Sequence, residues 1–226
     1  MTKPYIVCHM MISVDGRIDC GMTAKLTGVD EYYKTLNALD IPTTLSGRVT
    51  AELELALPGK FEAKNSESYG KEGFSKKKDA QSYEVVVDTK GTLLWDNDNS
   101  YSEPHLIIMG EAVSKAYLEY LDSKDISWIV CGKESIDLAR AVEILAQEFG
   151  VERMGIVGGA AINGAFLDAG LTDEISILIG PGIDGRAGMP AVFDGLPMDR
   201  EPIALKLKDV VTYDSGAVWL RYDVVR

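Results

Sequence analysis

Residues 155–164 read Gly155-Ile156-Val157-Gly158-Gly159-Ala160-Ala161-Ile162-Asn163-Gly164. A short apolar run enters a pair of glycines and continues as a helix-compatible segment to Ala169-Gly170, so the spacing predicts a buried strand that turns directly into a helix. Such a junction aims backbone N–H groups and the positive end of a helix dipole at the C-terminal edge of a sheet, where a pyrophosphate is stabilised. Glycines there let a ligand approach the main chain with no Cβ in the way. A tight turn without a ligand accounts for the same residues. The spacing is not G-x-G-x-x-G, so the ordinary dinucleotide-binding fingerprint is absent.

Working outward, strands and helices alternate. Tyr5 to Ile12 is a nearly continuous apolar run, the signature of a strand buried on both faces, and Ser13-Val14-Asp15-Gly16 breaks it. Asp30 to Leu39 has helical spacing, and a short strand ends at Ser46-Gly47. Thr50 is placed to cap a helix through Leu57 that Pro58-Gly59 ends. Tyr83 to Asp88, His105 to Met109, Ser127 to Cys131, Arg153 to Val157 and Ile175 to Ile179 read as strands. Helices are expected over Ser114 to Asp122 and from a Ser135 cap to Phe149, with Gly150 as the C′ glycine. Ile203 to Val211 and Ala217 to Val224 flank Asp214-Ser215-Gly216 as a terminal hairpin. Residues 59–82 are polar and rich in Lys, Glu and Ser, and read as a surface-loop insertion or an active-site cover. The expectation is one α/β domain over residues 1–226: a central, mostly parallel mixed sheet flanked by helices, with a C-terminal antiparallel hairpin.

Composition narrows the function classes. The chain has 226 residues and a net charge of −12, with 23 Lys+Arg against 35 Asp+Glu. That balance argues against a nucleic-acid footprint, which needs a basic face, but leaves room for one phosphate-bearing small molecule. Cys8, Cys20 and Cys131 form no C-x-x-C pair, and His9 and His105 are the two histidines, so no disulfide framework or metal site is expected. Met1-Thr2-Lys3-Pro4 leads straight into a strand, and no apolar run reaches the roughly 18 residues of a spanning helix. A cytoplasmic protein with no membrane partner is expected.

Three further segments carry candidate chemistry. Gly47-Arg48-Val49-Thr50 is a second strand-to-helix junction, where an Arg fork and a hydroxyl suit a phosphate monoester; a surface Arg beside a helix cap is the plainer reading. Ser13-Val14-Asp15-Gly16-Arg17 sets a hydroxyl, a carboxylate and a guanidinium after the first strand, or is simply a polar turn. Asp30 and Glu31 open a helix, where acids are favourable in any case.

Taken in order, Ser13-x-Asp15-Gly16-Arg17, Gly47-Arg48-x-Thr50, Val85-Val86-Val87-Asp88-Thr89, Val157-Gly158-Gly159 and Phe166-Leu167-x-Ala169-Gly170-Leu171-x-Asp173-Glu174-Ile175 resemble the riboflavin-biosynthesis reductase family, whose fold is dihydrofolate-reductase-like. The resemblance spans roughly residues 4–224 and is strongest from Gly155 to Phe193, with Pro181 and Gly185…Gly188-x-Pro190-x-x-Phe193 in register. It implies an NADPH-dependent reductase that converts the ribosylamino group of a pyrimidine 5′-phosphate to ribitylamino. By the same resemblance, Gly158, Gly159, Ala160, Ala161 and Ile162 hold the pyrophosphate, Gly47 and Thr50 meet a cofactor phosphate, and Arg48 meets the 2′-phosphate. Thr89 lines the adenosine end, Ile12 joins the cofactor set, and Ser13, Asp15 and Arg17 face nicotinamide and substrate. It also implies a homodimer.

The chain departs from the family pattern on the substrate side. Val157 stands where a Glu usually precedes the glycine pair, Thr35-Leu36-Asn37-Ala38-Leu39 carries no Arg, and Ala51-Glu52-Leu53-Glu54-Leu55 replaces a basic segment. Two alternatives follow. One is a pterin/dihydrofolate-type or other small-heterocycle reductase, with Glu31, by position, as the carboxylate that holds and protonates a pterin ring. The other is an NADP-binding module without catalysis.

Overall fold

The computed structural model describes residues 2–63 and 67–226. In chain order its strands and helices are β1 (Tyr5–Ile12), α1 (Cys20–Thr23), α2 (Val29–Ala38), β2 (Thr43–Gly47), α3 (Arg48–Glu54), β3 (Gly73–Ser75), β4 (Glu84–Val87) and β5 (His105–Met109). They continue as α4 (Lys115–Ser123), β6 (Ser127–Val130), α5 (Leu138–Glu148), β7 (Arg153–Gly158), α6 (Ala160–Asp168), β8 (Glu174–Ile179), β9 (Leu205–Thr212) and β10 (Val218–Val224). The chain forms two compact units, residues 1–4 with 42–154 and residues 5–41 with 155–226.

In the first unit the strand order is β3-β6-β5-β4-β2. β2, β4, β5 and β6 are mutually parallel, with Leu45 opposite Val85, Val86 opposite Ile107 and Ile108 opposite Ile129. All of β5 and β6 and most of β4 are buried. This is why they read as continuous apolar runs rather than alternating ones. One face packs Val86, Ile107, Met109 and Trp128 against Tyr117, Leu118 and Leu121 of α4 and against Trp95. α4 is capped by Ser114, whose hydroxyl accepts from the Tyr117 amide. α5 buries Ala141, Val142, Ile144 and Leu145, the face its spacing predicted. Its cap is Asp137, which accepts from the Arg140 amide, two residues later than the expected Ser135. Gly150 follows at φ 70°, the left-handed turn expected of it.

The 59–82 segment is mostly exposed but more ordered than a solvated loop requires. Residues 64–66 lie outside the described part. On either side, the Phe61 amide donates to Thr92 O, the Tyr69 amide to Val113 O and the Gly70 amide to Glu111 O, each at 2.8 Å. β3 then pairs antiparallel with β6, Phe74 opposite Ile129. Phe61 and Tyr69 anchor the segment by ring contacts with Tyr117, Tyr120 and Trp128. These aromatics are too widely spaced to show a period, so the sequence pattern hides them.

In the second unit the order is β7-β1-β8-β10-β9. β1 runs parallel to β8, and β10 antiparallel to both β8 and β9. β1 feeds two cores: Val7 and Met11 with Leu178, Ala217 and Trp219, and Cys8 and Met10 with Ala160 and Ile175. The terminal hairpin is present, with Gly216 at φ 84° in its turn and a register shift at Arg221/Tyr222. Both units are thus layered α/β structures: the first is mainly parallel, and the second is mixed, with antiparallel strands closing the chain's C-terminal end. No helix among the described residues is long and apolar enough to cross a membrane.

Candidate functional site

The glycine pair sits where the sequence placed it. β7 ends at Gly158, whose φ of 144° only glycine adopts readily, and Gly159 is the N-cap of α6. No side chain caps that end, so the first-turn amides of Ala160 and Ala161 keep the anion-favouring character of a helix start, whereas the Ile162 amide already donates to Gly159 O at 3.1 Å. Residues 189–194 pack over the same helix: Asn163 Nδ2 donates to Val192 O at 2.8 Å, and the Asp194 amide to Ala160 O at 3.2 Å. A Cβ on Gly164 would lie 2.1 Å from Asp194 O, so the glycine permits this close approach.

Also in the second unit, the turn after Ile12 is one connected hydrogen-bond unit. The buried Ser13 hydroxyl donates to Asp15 Oδ1 at 2.7 Å and accepts from the Arg17 amide at 3.1 Å. Asp15 in turn accepts from the backbone amides of Asp184 (2.9 Å) and Gly185 (3.0 Å). The Ser13 hydroxyl and these two amides hold the Asp15 carboxyl well below the usual carboxylate range, so it is an anchor rather than a proton donor near neutrality. Arg17 Nη1 donates to Met189 O at 2.6 Å, while its buried Nε has no partner. Ser13, Asp15 and Arg17 are therefore brought together, and together they tie down the 184–189 segment. Glu31 is not joined to them. It stands in the first turn of α2, and its charge, added to the larger effect of burial, raises the Tyr213 hydroxyl.

In the first unit, α3 begins at Arg48 with Gly47 as its N-cap. Thr50 therefore lies inside the first turn and is not the cap expected from sequence. Beside this junction is a pocket of about 400 Å³ lined by Arg48, Lys60, Asp88, Thr89, Lys90 and Thr92. Thr89 and Arg48 share it as expected, whereas Gly47 and Thr50 are not part of its lining. Asp88, buried at the end of β4, accepts from the Thr92 amide (2.6 Å) and the Leu93 amide (2.9 Å), closing the turn that presents Thr89 and Lys90. Arg48 Nη1 pairs with Glu52 Oε2 at 2.6 Å. Three cationic side chains against one fully engaged carboxylate make a local anion site, and this fits a cofactor phosphate.

Residues 4–219 match the family described as the RibD C-terminal domain. The chain belongs to that family. Over 88 residues it is 32% identical to the 2,5-diamino-6-ribosylamino-4(3H)-pyrimidinone 5′-phosphate reductase of Methanothermobacter thermautotrophicus; the match covers 39% of this chain and 40% of that relative. A pyrimidine reductase-like protein from Corynebacterium diphtheriae shares the fold, with a TM-score of 0.73 and 18% identity over 99% of this chain and 92% of that one. Acinetobacter baumannii RibD superposes with a TM-score of 0.70 and 18% identity, over 99% of this chain and 58% of its own.

For this RibD C-terminal domain, sequence reasoning missed Lys60, Lys90 and Thr92. The signal available was Asp88-Thr89-Lys90-Gly91-Thr92, a turn whose acid binds its own backbone. Lys60 gave no local signal, because it is brought to the pocket by hydrogen bonds from the Leu57 and Phe61 amides to Leu94 O and Thr92 O, far along the chain. Val157, in place of the family's Glu, sits partly exposed on β7.

Proposed function

We propose that this protein is an NADPH-dependent oxidoreductase of riboflavin biosynthesis that reduces the ribosylamino group of a phosphorylated pyrimidine to ribitylamino. Family membership supports the reaction class. The observation that carries the cofactor reading is the cation-lined pocket beside Arg48 in a chain of net charge −12. In the first unit, Arg48 and Thr89 take the phosphorylated adenosine end. Taken by itself, the second unit offers the start of α6, whose Ala160 and Ala161 amides suit a phosphate group that needs main-chain donors rather than side-chain charge. The cofactor, when bound, supplies the hydride, and the protein supplies binding and orientation.

Ser13, Asp15 and Arg17 act in this reading as a positioning turn. The serine and aspartate atoms that could meet substrate are already committed to one another and to the 184–185 backbone, whereas the unpartnered Arg17 Nε is the polar group left to answer a ligand. We assign a homodimer to the exposed edge strand β9, whose Leu205, Leu207 and Val210 are 43–54% exposed.

The test is consumption of NADPH absorbance with the 5-amino-6-(5-phosphoribosylamino)uracil substrate, alongside NADPH-induced thermal stabilisation. Binding of NADPH without turnover of that substrate overturns the substrate assignment. No binding of NADPH or NADH overturns the whole reading.

A further inference from the structure

We infer that Lys60 and Lys90, more than Arg48, decide whether the first unit's pocket accepts a phosphate on the adenosine 2′ position, an assignment that rests on the NADPH reading above. Of the three cations lining the pocket, Arg48 is already paired: its Nη1 lies 2.6 Å from Glu52 Oε2, one helical turn on. An incoming phosphate must compete with that carboxylate for the guanidinium. Lys60 and Lys90 are exposed at their side chains and, among the described residues, have no ion-pair partner. The pocket's carboxylate, Asp88, is buried and spends its oxygens on the Thr92 and Leu93 amides and the Thr92 hydroxyl. The positive charge left for a dianion therefore comes chiefly from the two lysines.

Both lysines hang from fixed backbone, although their ammonium ends are free. Lys60 is held from both sides: the Leu57 and Phe61 amides donate to Leu94 O and Thr92 O at 2.8 Å, and the Phe61 ring lies 5.0 Å from both Tyr117 and Tyr120. Lys90 sits in a turn closed by the Gly91 amide donating to Asp88 O at 2.9 Å, with Gly91 at φ 66°. A Cβ there would strike the Tyr117 ring at 2.3 Å, so the turn cannot slide. Fixed stems with unpaired ends suit recognition of a point-like dianion, for which lysine is a compact charge. The polar 59–82 segment thus supplies a specificity residue rather than a mere surface insertion.

Isothermal titration of the full chain with adenosine 2′,5′-bisphosphate and with adenosine 5′-monophosphate tests this without turnover. The wild type is expected to prefer the bisphosphate, and the preference should fall with added salt. Each of Lys60→Met and Lys90→Met should lower that preference about fivefold, the yield of one exposed charge pair. The double variant should lower it roughly 25-fold if the two act independently, with the loss falling mainly on bisphosphate affinity. Arg48→Ala should cost less than either lysine, and Glu52→Gln should raise bisphosphate affinity. Lys60→Arg with Lys90→Arg should keep most of the preference, which excludes a folding artefact. A folded double Met variant that retains the wild-type ratio overturns the inference and leaves the NADPH reading standing. Equal wild-type affinity for both nucleotides overturns the inference and the preference for NADPH over NADH with it, while leaving nucleotide binding at the pocket intact. A wild type that binds neither nucleotide removes both.

Discussion

Glu174 makes the sharpest stability prediction. It opens β8 fully buried, yet carries a charge network: Arg221 Nε donates to Oε1 at 2.6 Å, while Lys208 Nζ (2.7 Å) and the Tyr5 hydroxyl (2.9 Å) donate to Oε2. Burial pushes its carboxyl up, but the bonds from Arg221, Lys208 and Tyr5 outweigh that and leave it below the usual carboxylate value. Glu174→Gln keeps the shape, removes the charge and turns an amide N–H toward donors. Stranding a buried partner costs about 3–5 kcal/mol. Here the Arg221 and Lys208 side chains are 20% and 35% exposed and can turn to water, so about 2–3 kcal/mol is the expected loss. For a chain of this size that lowers the melting temperature by roughly 4–12 °C.

The pH dependence isolates the cause. A depressed carboxylate stabilises the fold above its unfolded value, and the contribution is lost as pH falls through its lower folded value. The difference between wild type and variant should therefore be full at pH 7 and should shrink below about 4.5, the ordinary glutamate value. His9 adds an acid sensitivity of its own, which the Glu174 charge slightly moderates in the wild type. Burial lowers it to about 4, so its contribution is present above the ordinary histidine value and is lost as pH falls from there toward 4. Asp223→Asn, which removes the exposed second acid on Lys208 at 3.3 Å, is the control and should change stability by less than about 0.5 kcal/mol. Calorimetry at several pH values decides the matter. A Glu174→Gln penalty below about 1 kcal/mol, or one that persists undiminished at pH 3, refutes the reasoning.

Three other outcomes are expected. Gly164→Ala should cost about 1–3 kcal/mol by overpacking and speed amide exchange at Asp194, because its Cβ meets Asp194 O at 2.1 Å; unchanged exchange there would contradict the close approach. Asp15→Asn should release the 184–186 segment to proteolysis, since one amide oxygen cannot serve Ser13, Asp184 and Gly185 as two carboxylate oxygens do. The wild-type resistance should not vary between pH 5 and 8, where Asp15 stays ionised. Leu207→Glu on the exposed edge strand β9 should convert a dimer to monomers by light scattering while leaving the melting temperature at high dilution unchanged; a wild type that is itself monomeric removes the dimer assignment.

The fold was legible in sequence wherever burial is continuous. β1, β4, β5 and β6 are apolar over nearly their whole length, and α5 repeats its apolar face with helical spacing. The elements that escaped are those whose stability is borrowed. α1 has four residues and buries none of them. β3 has three residues and exists because β6 offers an open edge. Caps were misplaced by three residues at Thr50 and by two at Ser135, because Gly47 and Asp137 were better placed to close the preceding strand and turn. The glycine pair was legible because a strand running straight into a helix start needs small residues. The Asp15 anchor was not, since its partners lie some 170 positions away.

Net charge described the chain poorly, and the pairing of its cations describes it better. Lys76, Lys77 and Lys78 are consecutive and would suggest a basic patch, yet each is matched, to Asp79, Asp122 and Asp98. Arg140 is shared between Glu72 and Glu143, and Arg186 between Asp184 and Asp19. An acid excess of 12 thus neutralises cations across much of the surface and leaves unpaired lysines conspicuous where they occur beside a pocket. At a Debye length of about 8 Å in physiological salt, distant acids are screened from such a pocket and local charges decide its potential. Anion binding there should therefore survive the chain's overall acidity, yet weaken when Lys60 and Lys90 are removed. Substituting exposed acids far from the pocket should leave affinity unchanged. A gain in nucleotide affinity from such remote substitutions would show that the global field, not the local pairing, governs the site.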